Sequence, residues 1–160
     1  MARYALTIFL SAFLIFQIQP IIAKYILPWF GGGAGVWTAC MLFFQVLLLG
    51  GYAYAHLLNS RLGPRRQAIV HLTLIGLSAC FLNIIPNPSW QPVSASWPTR
   101  DILLLLLVHI GAPYLIVSSS GPLLQRWFTI SSPGRSPYPL YALSNAGSLL
   151  ALISYPFVIE

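Results

Sequence analysis

The side chains best able to do chemistry in this chain are the histidines His56, His71 and His109 and the polar residues Gln17, Lys24, Gln45, Tyr52 and Asn145, all set within or beside apolar runs. An ionisable or amide group at membrane depth is a functional candidate by default, because lipid offers it no partner. His56 and His71 fall near the facing ends of consecutive runs, at similar depth counted from the turn between them. They are therefore the candidate pair for a haem or a metal ion, since neutral imidazole ligates both. His109 lies toward the opposite end of its own run and does not join them. Apart from that pair, no cofactor is expected. Gln17, Lys24, Gln45, Tyr52 and Asn145 are the candidates for inter-helix hydrogen bonds or for lining a cavity.

Other chemistries lack their parts. The sequence holds only two carboxylates, Asp101 and Glu160, each at the edge of an apolar run. A proton relay or a path for a polycation needs acids along its length. The glycines between Gly31 and Gly35 lack both the GxGxxG spacing and the Lys-Ser/Thr of a phosphate loop. Ser118, Ser119 and Ser120 have no nucleophile-elbow context and no acid partner. The expectation is a protein without catalytic residues, not an enzyme unless a separate catalytic domain completes it.

The elements that position these residues follow from composition. Of 160 residues, 58% are hydrophobic and 6% charged, against about 25% charged in a soluble domain. At about 1.5 Å per residue, roughly 20 apolar residues cross a hydrocarbon core. The pattern predicts an all-α integral membrane protein with a single multi-span domain over 1–160. Five spans are expected at about 4–27, 35–58, 67–85, 101–119 and 138–159, with a short interfacial helix near 123–130. The glycine-rich stretch Gly31 to Gly35, bracketed by Trp29 and Trp37, is the hairpin between the first two spans.

Within the spans, Gln17, Pro20 and Lys24 share one helical face, and Pro20 is expected to kink the first helix. Thr38, Gln45, Tyr52 and His56 form a stripe on the second, expected to face inward. Pro113 withdraws a donor from the carbonyl of His109 and should bend the fourth. Ser118-Ser119-Ser120-Gly121-Pro122 should then stop it. In the fifth, Ala142/Ala146, Ser144/Ser148 and Gly147/Ala151 are small-xxx-small pairs that predict close helix packing. Asn83 and Asn145 need hydrogen-bond partners. Cys40 and Cys80 lack metal-type spacing and read as small core residues.

The net charge of +6 is carried by residues scattered singly or in short clusters at span ends, which fits membrane topology better than nucleic acid. Alternating spans put Arg3, Arg61, Arg65, Arg66, Arg126 and Arg135 at one face and Lys24 and Arg100 at the other. The positive-inside rule then places the N-terminus in the cytoplasm and the C-terminus outside. An odd span count running to Glu160 leads to the expectation that the chain is a portion of something larger.

Leu27-Pro28-Trp29-Phe30-Gly31-Gly32, Cys40-Met41-Leu42-Phe43-Phe44-Gln45, Gly51-Tyr52-Ala53-Tyr54-Ala55-His56 and Tyr138-Pro139-Leu140-Tyr141-Ala142-Leu143-Ser144-Asn145 together carry a resemblance. So do Phe9-Leu10-Ser11-Ala12-Phe13 and Val36-Trp37-Thr38. The chain resembles the N-terminal membrane region of bacterial spermidine-synthase-like proteins that carry a multi-span, transporter-like region. The resemblance implies a bacterial inner-membrane location. The soluble synthase-like domain of that family has no counterpart in these residues. The leading expectation is thus a non-catalytic anchor or accessory subunit, partnered by the lipid bilayer and other membrane subunits, with no nucleic acid. The alternatives are half of a small-solute transporter, or the membrane domain of a spermidine-synthase-like enzyme whose catalytic part lies elsewhere.

Overall fold

Long runs of Leu, Ile, Ala and Phe bounded by Pro and Gly fold here as helices, because a helix satisfies every backbone group within its own segment. A computed structural model describes residues 1–80, 82, 85–92 and 97–158. Asn83 and Glu160 lie outside the described residues, as do 93–96 of the proline-rich linker. The first helix, α1, is Ala2–Ile26, and it runs into a 3-10 turn at Leu27–Phe30. Gly31 (φ 84°) and Gly32 (φ 69°) then adopt the left-handed backbone that side chains disfavour. The Gly32 N–H closes this turn on the Leu27 carbonyl at 3.0 Å. Next come α2, Ala34–Arg61, and α3, Pro64–Cys80, with Pro64 pre-setting the first turn of α3.

After a short 3-10 turn at Pro88–Trp90, α4 (Pro98–Leu106), a π turn (Leu107–Gly111) and α5 (Ala112–Ser131) follow one another without a break. The last helix, α6, is Tyr138–Val158. Among the described residues there is no strand. Among the described residues, three helical segments are long and apolar enough to cross a membrane: Ala2–Phe30, Ala34–Arg61 and Pro98–Ser131. The shorter α3 has 17 residues, about 26 Å at 1.5 Å per residue. The first half of α6 carries Ser144, Asn145 and Ser148.

The element from 98 to 131 corrects the expected end of the fourth span and the separate interfacial helix near 123–130. The helix passes straight through Ser118-Ser119-Ser120-Gly121-Pro122. In water this sequence is turn chemistry, but here the serines turn back on their own helix. Ser118 Oγ donates to the Leu115 carbonyl at 2.8 Å and Ser119 Oγ to the Ile116 carbonyl at 2.6 Å. Such back-bonding pairs each hydroxyl within its own helix, so these serines need no turn or outside partner. All three serines are buried, so they serve as small packing residues.

The expected disturbance at Pro113 takes the form of the π turn. Because Pro113 has no N–H, the His109 carbonyl loses its usual donor, and the turn widens over Leu107–Gly111. His109 is buried, its Nδ1 donates to the Leu105 carbonyl at 2.7 Å, and its ring meets that of Trp90 edge-on at 5.2 Å.

Helix α1 lies against α6, α2 against α5, and α1 and α3 each against α5. Ile22, Ile26, Val36, Cys40, Ile102 and Leu105 form the core at the glycine-hairpin end. At the other end, Ile8 packs with Phe128 and Leu140, and Ala55 and Leu58 pack with Leu123. Two close crossings set the geometry. A Cβ on Gly51 would strike Ser118 Oγ and reach the Leu115 carbonyl at 3.0 Å. One on Gly147 would lie 2.7 Å from the Phe9 carbonyl. Gly147 and Ala151 are both buried, so of the three small-residue pairs on α6 this is the one turned wholly inward.

Candidate functional site

A cleft of about 320 Å³ opens between α2 and α6, floored by α1 and α5. Its hydrogen-bonding lining is Ser11 from α1, Tyr52 from α2, Ser118 and Gln125 from α5, and Tyr141, Ser144 and Asn145 from α6. No charged side chain lines it. The Gly51–Ser118 crossing holds one wall to the floor, and the Gly147–Phe9 crossing holds the other. The cleft can offer hydroxyl and amide groups to a neutral, hydrogen-bonding guest, or to the polar face of another helix.

Of the five residues expected to line a cavity, Tyr52 and Asn145 meet here and the others do not. Gln17 is buried on the α1–α6 contact, where its Nε2 donates to Ser154 Oγ at 3.3 Å while its Oε1 has no hydrogen-bond partner. Lys24 is exposed near the glycine hairpin. Gln45 is exposed on α2, outside the cleft.

The stripe on α2 is the clearest correction. Thr38, Gln45, Tyr52 and His56 share one face as expected, but all four are exposed. The inward face of α2 is instead Val36, Ala39, Cys40, Phe43, Phe44, Gly51, Ala55 and Leu58. Periodicity identifies a face, and bulk decides its direction: Phe43, Phe44 and Gly51 fit the surface of α4 and α5, whereas Gln45 would be buried there without a partner. Thr38 Oγ1 satisfies itself on the Ala34 carbonyl at 3.1 Å. Among the described residues, Gln45 and His56 have no side-chain hydrogen bond.

The candidate ligand pair occupies two different environments. His56 is exposed, while His71 is buried between α3 and α5. His71 Nε2 lies 3.0 Å from Ser120 Oγ, and its ring sits 6.1 Å from that of Tyr54 and 6.5 Å from that of Trp127. One turn earlier on the same face, Gln67 is buried and doubly bonded. Its Oε1 accepts from Trp127 Nε1 at 2.6 Å, and its Nε2 donates to the Leu62 carbonyl at 2.7 Å. His71 Nδ1 and Tyr54 Oη are buried without a hydrogen-bond partner. Among the described residues, no group of three or more His, Cys, Asp or Glu side chains is placed to hold a metal ion. Both cysteines are free thiols, Cys40 buried and Cys80 exposed.

Gln67, Tyr141 and Ser144 are site residues not expected from the sequence although a signal was present there. Gln67 and His71 are four apart on α3, and Tyr141, Ser144 and Asn145 are three and four apart on α6, spacings that place each set on one helical face. On α6 that pattern was masked by the small residues interleaved with it. No protein-family model, curated protein or solved structure matches this chain.

Proposed function

We propose that this chain is a non-catalytic, multi-pass membrane subunit that works by packing, and that a partner protein covers the polar face of α2. The observation that carries this reading is the exposure of Thr38, Gln45, Tyr52 and His56 along one side of an apolar helix of 28 residues. An amide facing hydrocarbon without a partner costs several kcal/mol, so lipid is a poor neighbour for Gln45. Another membrane protein supplies both apolar cover and hydrogen bonds. In this reading α3 and α6 complete a five-span bundle in a bacterial inner membrane. The arginine-rich end, and with it the N-terminus, faces the cytoplasm.

Gentle extraction from native membranes followed by native mass spectrometry tests the proposal. The expected result is a discrete complex with a second subunit, lost in the Gln45→Leu/Tyr52→Leu variant. A wild-type chain recovered only as a monomer with lipid would overturn it.

The cleft favours a second reading, in which the chain is half of a small-solute path completed by further spans. Tyr52 and Asn145 would then contact a neutral solute. Uptake into proteoliposomes that is abolished by Asn145→Leu is the outcome this reading requires. The family resemblance adds a third, a membrane domain serving a spermidine-synthase-like catalytic partner, for which aminopropyl-transfer activity would co-purify with the chain.

A further inference from the structure

Arginines crowd the turn between α2 and α3. Arg61 ends α2, and Arg65 and Arg66 occupy the first turn of α3, with Gly63 and Pro64 between them. All three are exposed, and Gly63, Pro64, Arg65 and Arg66 line an open hollow of about 550 Å³. The first turn of α3 contains no acidic residue. The sequence has only two acids, Asp101 and Glu160, and Asp101 sits at the start of α4, by the opposite end of the bundle. Placing two cations at the positive end of a helix dipole is unfavourable unless an anion joins them.

The turn is also held rigidly. Gln67 ties it to itself through the Leu62 carbonyl and to α5 through Trp127 Nε1. The arginines are therefore displayed on a fixed frame and not on a flexible tail. A guanidinium presents a planar fork of donors that matches phosphate oxygens.

We propose that the α2–α3 turn binds the phosphate headgroup of an anionic phospholipid, with Arg61, Arg65 and Arg66 supplying the charge. The site rests on the membrane-spanning reading, because the turn then lies at headgroup depth. Charge complementarity selects the occupant, since each Arg near an anionic surface adds to the attraction for anionic lipid and no protein carboxylate competes at this end among the described residues. Three such contacts correspond to roughly a hundredfold preference for anionic over zwitterionic lipid.

The full chain reconstituted into nanodiscs of mixed phosphatidylglycerol and phosphatidylcholine, then released for native mass spectrometry, reads out retained lipid directly. Wild type is expected to retain phosphatidylglycerol at least tenfold over phosphatidylcholine, and added inorganic phosphate should not displace it. Arg61→Gln/Arg65→Gln/Arg66→Gln should lose that preference, while Arg3→Gln/Arg135→Gln, which removes the same kind of charge from the same end, should keep it. Equal retention of the two lipids by wild type, equal loss in both variants, or displacement by phosphate would each overturn the site. A chain that fails to enter nanodiscs at all would refute the membrane reading itself, and is distinguished by its absence from the disc fraction.

Discussion

Adding one methyl group at Gly147 tests whether α1 and α6 pack as closely as the structure shows. The new Cβ of Gly147→Ala would lie 2.7 Å from the Phe9 carbonyl, 3.3 Å from Phe9 Cδ2 and 3.5 Å from Ala12 Cβ. The nearest atom is backbone and cannot rotate away. Ordinary contact begins at about 3.4 Å, so the helices must separate by about 0.7 Å. Overpacking of this kind costs about 1–3 kcal/mol, partly offset by roughly 1 kcal/mol from the better helix propensity of Ala. A net loss of up to about 2 kcal/mol is expected. Gly76 provides the control, because nothing lies within 4 Å of its added Cβ. Gly76→Ala should be neutral or more stable by up to about 1 kcal/mol. Reversible unfolding in mixed micelles, titrated with a denaturing detergent and followed by circular dichroism, measures both. Equal stability of the two variants would refute the close α1–α6 crossing.

Gly51→Ala meets Ser118 Oγ and the Leu115 carbonyl, so it should destabilise by about 1–3 kcal/mol; Ser118→Gly added to it should restore part of the loss in the same titration. A double-mutant cycle over Gln67→Leu and Trp127→Phe should give a coupling of about 0.6–1.7 kcal/mol, the range for hydrogen bonds between membrane helices. A coupling of zero would remove the tie between the α2–α3 turn and α5. Gln17→Leu removes one long hydrogen bond to Ser154 together with a buried, unpartnered acceptor. An unsatisfied buried group costs about 1–3 kcal/mol, more than the bond of about 0.6 kcal/mol returns. Gln17→Leu should therefore raise the unfolding midpoint, and a lowered midpoint would show that Oε1 is satisfied.

The helices were legible because long apolar runs leave few alternatives: those ending at Pro28, Gly63 or Pro64 close their own backbone hydrogen bonds. The left-handed turn was legible at Gly31 and Gly32, and close packing at Gly147 and Ala151, though not that α1 is the partner. The continuation of α5 through Pro122 was not, because rules for turns in water read Ser-Gly-Pro as a stop. In an apolar setting the serine hydroxyls bond back to Leu115 and Ile116 instead. The direction of the α2 stripe was equally hidden. The default logic of a self-contained bundle puts polar residues inside, whereas the large rings of Phe43 and Phe44 take that side. The cleft needed four helices to be placed before Tyr52 and Asn145 were seen to share it.

Site-specific photo-crosslinking in native membranes tests the central claim most directly. A photoreactive residue at position 45, on the polar face of α2, should yield one discrete protein adduct. The same residue at position 69, where Ile69 is 66% exposed on α3, should yield only lipid adducts. Lipid adducts alone at both positions would contradict the claim that a protein partner covers the α2 stripe.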